Sequence, residues 1–398
     1  MSKFINSPSR LFLLAIFIYV VLTPKALVDA RRISNAVNKS IIKTIQVDND
    51  EIIDCYDIFK QPSLDHPSLR NHTIQMRPSV FPKNTKLDNL GTLQLTQTWH
   101  KYGTCPHGTI PIRRNTRKHY DSTLFRKQLR PKPFHSKKPN TLQPNEDPEI
   151  HEYAVIKMRG SFIGAQAKIN LWNPTVESSS EMSVSQIWVE AGPYEELNTI
   201  EAGWTVDQFY FNDTQTRFFI MWTGDGYKHG CVNLLCPGFV QTSSEIGLGC
   251  NFTEVSTFKG GQKDATFSIH KDQNSGNWWV QLQGISVGYY PSSIFKLLSK
   301  TADHVEFGGE ITNARSNGRH TTTQMGSGHY PLDGGLGISS YFSHVQVMTE
   351  NNEIIDDPVN VQLYTSNPNC YDLKVDEKRT NGYSFYYGGS GYNDKCQQ

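Results

Sequence analysis

The chain has 398 residues, a formal net charge of +1, 11 % aromatic residues and 30 glycines. Near-neutrality excludes a nucleic-acid binder that works by neutralising phosphates. Aromatic residues with abundant glycine favour short strands and tight turns over long helices.

Lys3 and Arg10 precede an unbroken apolar run at 11–22, and small residues follow to Ala30. That order predicts a signal peptide over 1–30, the run being short for a membrane span. No later segment is apolar enough to span a bilayer, so an exported protein without stable membrane association is expected. Sequons at Asn38, Asn71, Asn212 and Asn251 agree with export as glycosylation candidates. The seven cysteines are Cys55, Cys105, Cys231, Cys236, Cys250, Cys370 and Cys396. In an oxidising compartment most should pair. Cys55 with Cys105, Cys231 with Cys236 and Cys370 with Cys396 are the candidates, which leaves Cys250 over. No C-x-x-C occurs and the histidines lack zinc-ligand spacing, so neither metal nor cofactor is expected.

Residues 31–114 read as a small folded unit, with strand patterns at 41–47, 51–59 and 93–99. Residues 115–152 read as a basic, proline-rich linker. Between positions 113 and 138 stand ten Lys or Arg and one acid, Asp121. Such a stretch cannot bury a core, and exposed chain of this kind is where proteolytic processing concentrates. Residues 153–398 read as β throughout. Alternating segments recur at 167–171, 185–189, 217–222, 265–270, 278–282, 305–311 and 341–347, with one short helix at 292–299. Regular short strands with turn signals predict an all-β fold, an antiparallel sandwich or barrel.

Nucleophile patterns fail. Ser327 stands in M-G-S-G-H, which is no G-x-S-x-G elbow, and no H-E-x-x-H exists. Carboxylates remain. In the strand-like N-T-I-E-A-G-W-T-V at 198–206, Glu201, Gly203 and Thr205 share one face, while Ile200, Ala202, Trp204 and Val206 share the other. In H-V-E-F-G-G-E-I-T-N at 304–313, Glu306, Gly308 and Glu310 share a face. Each segment sets a carboxylate beside a glycine that leaves room for a ligand. Two such carboxyls, one protonated and one ionised, are able to hydrolyse a peptide or a glycoside.

Longer motifs add a resemblance. I-I-D-C at 52–55, F-K-Q-P-S-L-D-H-P at 59–67, N-H-T-I-Q-M-R-P-S at 71–79 and C-P-H-G-T-I-P-I-R-R at 105–114 resemble the activation-peptide domain of the plant neprosin family. S-Q-I-W-V at 185–189, I-E-A-G-W at 200–204, G-C-V-N-L-L-C-P-G-F at 230–239, W-W-V-Q at 278–281, G-Y-Y-P-S at 288–292, F-G-G-E at 307–310, H-T-T-T-Q-M-G-S-G at 320–328 and F-Y-Y-G-G at 385–389 resemble its catalytic domain. The resemblance implies a secreted glutamic endopeptidase, made as a zymogen and folded as an antiparallel β-sandwich, that cleaves after proline at acid pH. It places the catalytic glutamates on Glu201 and Glu310, with Glu306 as competitor for the second role. It makes residues 31–114 an activation peptide that inhibits its own enzyme, and proline-containing polypeptides the substrates. Phe307 stands where the family often has Trp, and Cys250 where it usually has a small residue. Gln186, Gln324 and Tyr330 are the candidates for holding the oxyanion, and Trp204, Trp278, Tyr289 and Tyr290 for a proline slot. The alternatives are a wall glycoside hydrolase and an extracellular binding module without catalysis.

Overall fold

The computed structural model describes residues 40–48, 51–80, 97–114, 150–315 and 318–397. The expected signal peptide, Asn38, most of the linker and four residues of the pattern at 93–99 lie outside them.

The N-terminal unit is a three-stranded antiparallel sheet, β1 (Ile41–Gln46), β2 (Ile52–Asp57) and β3 (Thr109–Arg113), in the order β1-β2-β3. The disulfide Cys55–Cys105 staples β2 to the loop before β3. The second strand ends sooner than its pattern suggests. The Asp57 carboxylate accepts the Phe59 N–H at 3.0 Å and starts a 3-10 turn at Ile58–Lys60. Thr98–Lys101 is likewise a 3-10 turn rather than strand. Gln97 Oε1 accepts both the Trp99 indole N–H and the Gly247 N–H, which folds the chain back on itself.

Among the described residues fifteen further strands follow, all paired antiparallel. They are β4 (Ile150–Asn170), β5 (Met182–Ala191), β6 (Asn198–Asp207), β7 (Arg217–Thr223), β8 (Gly230–Val232), β9 (Val240–Gln241), β10 (Asp264–Lys271), β11 (Trp278–Leu282), β12 (Ile285–Tyr290), β13 (Ala302–Asn313), β14 (Ser340–Thr349), β15 (Ile354–Ile355), β16 (Gln362–Thr365), β17 (Asp372–Val375) and β18 (Phe385–Gly388). Every predicted strand segment of this region falls on one of them, apart from Leu171 just past β4. The predicted helix at 292–299 is only a 3-10 turn, Ser292–Ile294. Phe295 returns to extended backbone and packs its ring on Trp222 and Tyr290.

Strand β4 joins two layers. Its first half pairs with β13 and β16, and its second half with β10 and β14. Core-facing residues are Ala154, Ile156 and Met158 in the first half but Ala165, Ala167 and Ile169 in the second. Phe162 still shares the parity of the first half, so the change falls between Phe162 and Ala165, where the register against β14 slips between Met348 and Thr349. One layer runs β8-β7-β6-β5-β13-β4, the other β4-β10-β11-β12-β9 with β14 and β18 beyond. Ile187, Ile200, Trp204 and Phe307 of the first layer pack with Phe267, Trp278, Val280 and Phe342 of the second in one core. The first layer therefore turns its other face outward, and there the polar residues of β5, β6 and β13 collect. Among the described residues, no helix is long and apolar enough to cross a membrane.

Candidate active site

Register builds this site. Gln186 at the middle of β5 lies between Gly308 of β13 and Gly203 of β6. Glu201 is one pleat to one side of that row and Glu310 one pleat to the other. A Cβ on Gly203 would lie 2.0 Å from the Ser185 carbonyl oxygen and 2.6 Å from the Gln186 Cα. On Gly308, where φ is +155°, it would lie 2.2 Å from the Ala154 carbonyl oxygen. Gly203 thus lets β6 close on β5 and Gly308 lets β13 close on β4, and neither sets a side chain beside Gln186.

The result is a cleft lined by Glu201, Gln186 and Glu310. His151, Tyr153, Thr205, Asp207 and Tyr227 add polar groups to its wall. Phe211, Phe219, Met221 and Val232 make an apolar end. Each carboxyl is held by donors. Glu201 Oε1 accepts the Thr199 hydroxyl at 2.9 Å and the Tyr227 hydroxyl at 2.8 Å. Glu310 Oε1 lies 2.6 Å from His151 Nδ1, and its Oε2 accepts from Gln186 Nε2 at 3.2 Å. Burial, reinforced by Glu201 and Glu190, holds the Tyr227 phenol far above its ordinary range, so it serves as a donor. Burial does the same to Tyr153, which faces Glu310 across the ladder and hydrogen-bonds it.

Glu306 is placed differently. Its carboxylate pairs with Lys157 at 2.7 Å, and both side chains are buried. It does not line the cleft. One pleat further on, His304 pairs with Glu190 at 2.7 Å and with Asp303. Burial disfavours the imidazolium of His304, but these carboxylates outweigh it and raise the pKa. Glu190, His304 and Glu306 bring ligand atoms within 4.8 Å of one another, a spacing that could hold a metal ion.

The aromatic residues proposed for a proline slot lie elsewhere. Trp204, Trp278 and Tyr290 alternate onto the inner face and belong to the core between the layers. Tyr289 packs with Trp279, Val240 and Leu69 on the opposite side of the molecule. Gln324 accepts the Thr175 N–H, and Tyr330 donates to the Asn369 and Cys370 carbonyls; neither reaches the cleft. His151, Tyr153 and Tyr227 were not singled out from sequence. Strand β4 begins at Ile150, inside the stretch read as linker, and the alternation His151, Tyr153, Val155 was its one signal.

Disulfides join Cys231 to Cys236 and Cys370 to Cys396, and Cys250 is free and buried. Burial pushes the Cys250 thiol up to about 12. Asn71 and Asn212 are exposed, whereas the Asn251 amide is hydrogen-bonded to Gln215.

The N-terminal unit grips the second domain away from the cleft floor. Gln61 exchanges two hydrogen bonds with the backbone of Gln241, at 2.9 and 3.0 Å. Glu51 bridges Arg113 and the buried Arg217. Asp272 accepts from Gln75 Nε2 and from the Ser79 N–H and hydroxyl. None of the cleft-lining residues comes from the described part of this unit. Among its described residues, Arg113 donates to the carbonyl of Phe211 in the cleft wall.

The family model for Neprosin matches residues 179–390, and that for the Neprosin activation peptide matches residues 44–157. The chain belongs to the Neprosin family. It carries that family's activation peptide ahead of the β domain. Among solved structures, scytalido-glutamic peptidase with a peptide-based transition-state analogue is similar at 10 % identity and a TM-score of 0.34, over 61 % of this chain and 99 % of that one. SCP-B, a member of the eqolisin family of peptidases in complex with the tripeptide Ala-Ile-His, gives 10 % and 0.33, over 60 % and 98 %. The agglutinin CG-16 from chicken liver gives 8 % and 0.22, over 39 % and 92 %.

Proposed function

We propose that this chain is the secreted precursor of a glutamic endopeptidase that cleaves peptide bonds after proline at acid pH. The observation that carries the reading is the flanking of Gln186 by Glu201 and Glu310 in one cleft, with Glu306 tied to Lys157 outside it.

In this reading the two carboxyls share one proton. The ionised one takes a proton from a water molecule, whose oxygen adds to the scissile carbonyl carbon. The protonated one hydrogen-bonds the carbonyl oxygen and then passes its proton to the leaving nitrogen as the C–N bond breaks. No covalent acyl-enzyme forms. Tyr153 and Tyr227, held as neutral phenols, hydrogen-bond Glu310 and Glu201 and so hold the two carboxyls in place. The apolar end at Phe211, Phe219, Met221 and Val232 offers the proline ring a place, in the role first given to core aromatics.

The activation peptide restrains the site from its rim, through Arg113 on Phe211, and the linker is the place where it is severed. An enzyme of this specificity trims its own precursor after Pro131, Pro133, Pro139 or Pro144. The test is to acidify purified precursor, sequence the new N-terminus, and map cuts in a proline-containing peptide library. Cuts after proline and an N-terminus within 132–145 support the reading. Cuts after other residues, or release of reducing sugar from wall polysaccharide without peptide hydrolysis, overturn it.

A further inference from the structure

We propose that His151 is a third functional group of the cleft, fixing the Glu310 carboxyl through Nδ1 and offering Nε2 to the backbone of the bound peptide. The proposal rests on the peptidase reading above.

Three observations carry it. Nδ1 lies 2.6 Å from Glu310 Oε1, and both side chains are buried. The imidazole lies beside the Tyr153 ring, 6.4 Å between centroids and within 21° of parallel, and Tyr153 hydrogen-bonds the same carboxyl. On the far side of the ring, Nε2 is buried and has no hydrogen-bond partner among the described residues, although His151 lines the same cleft as Glu201 and Gln186. A buried ring nitrogen left unpaired costs about 1–3 kcal/mol. It is retained where something else completes it. Gln186 repeats the pattern: its Nε2 is committed to Glu310, while its Oε1 is buried and unpaired among the described residues.

The two orphans suit an extended peptide backbone. Gln186 Oε1 only accepts, so it takes a peptide N–H. When Nδ1–H donates to Glu310, His151 Nε2 accepts an N–H from a neutral ring and donates to a carbonyl from a protonated one. Glu310 is then held at both oxygens, by the ring and by the amide, in line with the peptide that the same two residues bind. A glutamate side chain has three freely turning bonds, and a misplacement of about 1 Å costs about 100-fold in rate.

Variants of the acid-processed protein separate the two roles. His151→Ala removes both contacts. His151→Asn keeps a donor where Nδ1 stands and deletes Nε2. The expected result for Ala is a kcat lower by about 100-fold. Asn is expected to recover at least about tenfold of that loss while its KM stays raised by about tenfold, the worth of one lost hydrogen bond. Ring 15N resonances give a readout that does not need turnover. Glu310→Gln should move the His151 Nδ1 signal, and a proline-containing peptide added to Glu201→Gln protein should move Nε2. Ala and Asn variants within threefold of the wild type, or equally impaired in both constants, overturn the proposal while leaving the peptidase reading intact. If the wild type itself hydrolyses nothing, the peptidase reading fails, and an Nδ1 signal indifferent to Glu310→Gln overturns the proposal separately.

Discussion

At the scale of single residues, the alternation of a strand did most to locate the carboxylates. Glu201 shares a face with Gly203 and Thr205, opposite Ile200 and Trp204, and that division is what the two faces of β6 show. The same parity assigns Trp204 to the core, so its face was already inconsistent with a place in the cleft. His151 and Tyr227 were not legible, one because its strand starts against a linker, the other because it sits in a loop with φ of +61°. Gly203 carries the sharpest residue-scale prediction. Gly203→Ala drives a Cβ into the backbone of β5, so a loss of about 3 kcal/mol or more is expected. Thermal unfolding should register it as a Tm lower by about 6–12 °C. A variant as stable as the wild type would show that β5 and β6 part without cost.

At the scale of elements, strand positions were readable because period-two patterns report burial directly, but pairing was not. Nothing in the text of β4 announces that it serves both layers; its parity shift between Met158 and Ala165 becomes meaningful only once β13 and β10 are known to flank it. The contact between Asp272 and residues 75–79 is another long-range product of pairing. Burial raises the Asp272 pKa, but the Ser79 N–H, the Gln75 amide, the Ser79 hydroxyl and the Asn274 N–H outweigh it and bring it down to about 2, from an ordinary 3.8. A lowered carboxyl stabilises the docked state above its ordinary value and ceases to as pH falls through the docked one. Docking of the activation peptide should therefore weaken as pH drops from about 4 towards 2. Asp272→Asn is expected to weaken docking by about tenfold or more at neutral pH, as loss of a charged hydrogen-bond acceptor does, and to flatten that acid dependence. Co-elution of the two pieces after linker cleavage measures it; an unchanged profile would remove Asp272 from the clasp.

At the scale of the molecule, the activation peptide and the β domain share a small core. Cys250 of the β domain is packed with Ile45, Ile53, Cys55, Trp99 and Cys105 of the N-terminal unit. An odd cysteine was countable from sequence, but its burial under another segment was not. In the intact chain a thiol reagent should leave Cys250 untouched, and departure of the activation peptide should make it reactive within minutes. Labelling at the same rate before and after release would mean that this shared core persists in the mature enzyme.

The assignment of Glu201 and Glu310 as the working pair is tested most directly by comparing Glu201→Gln, Glu310→Gln and Glu306→Gln in the processed enzyme, on one post-proline peptide substrate between about pH 3 and 5. The cleft geometry predicts that the first two lose at least about 1,000-fold in kcat, and that the third, paired with Lys157 outside the cleft, keeps the kcat of its folded fraction within about tenfold while losing about 3–5 kcal/mol of stability, because the buried Lys157 ammonium is left uncompensated. An active Glu310→Gln enzyme beside a dead Glu306→Gln one would contradict it.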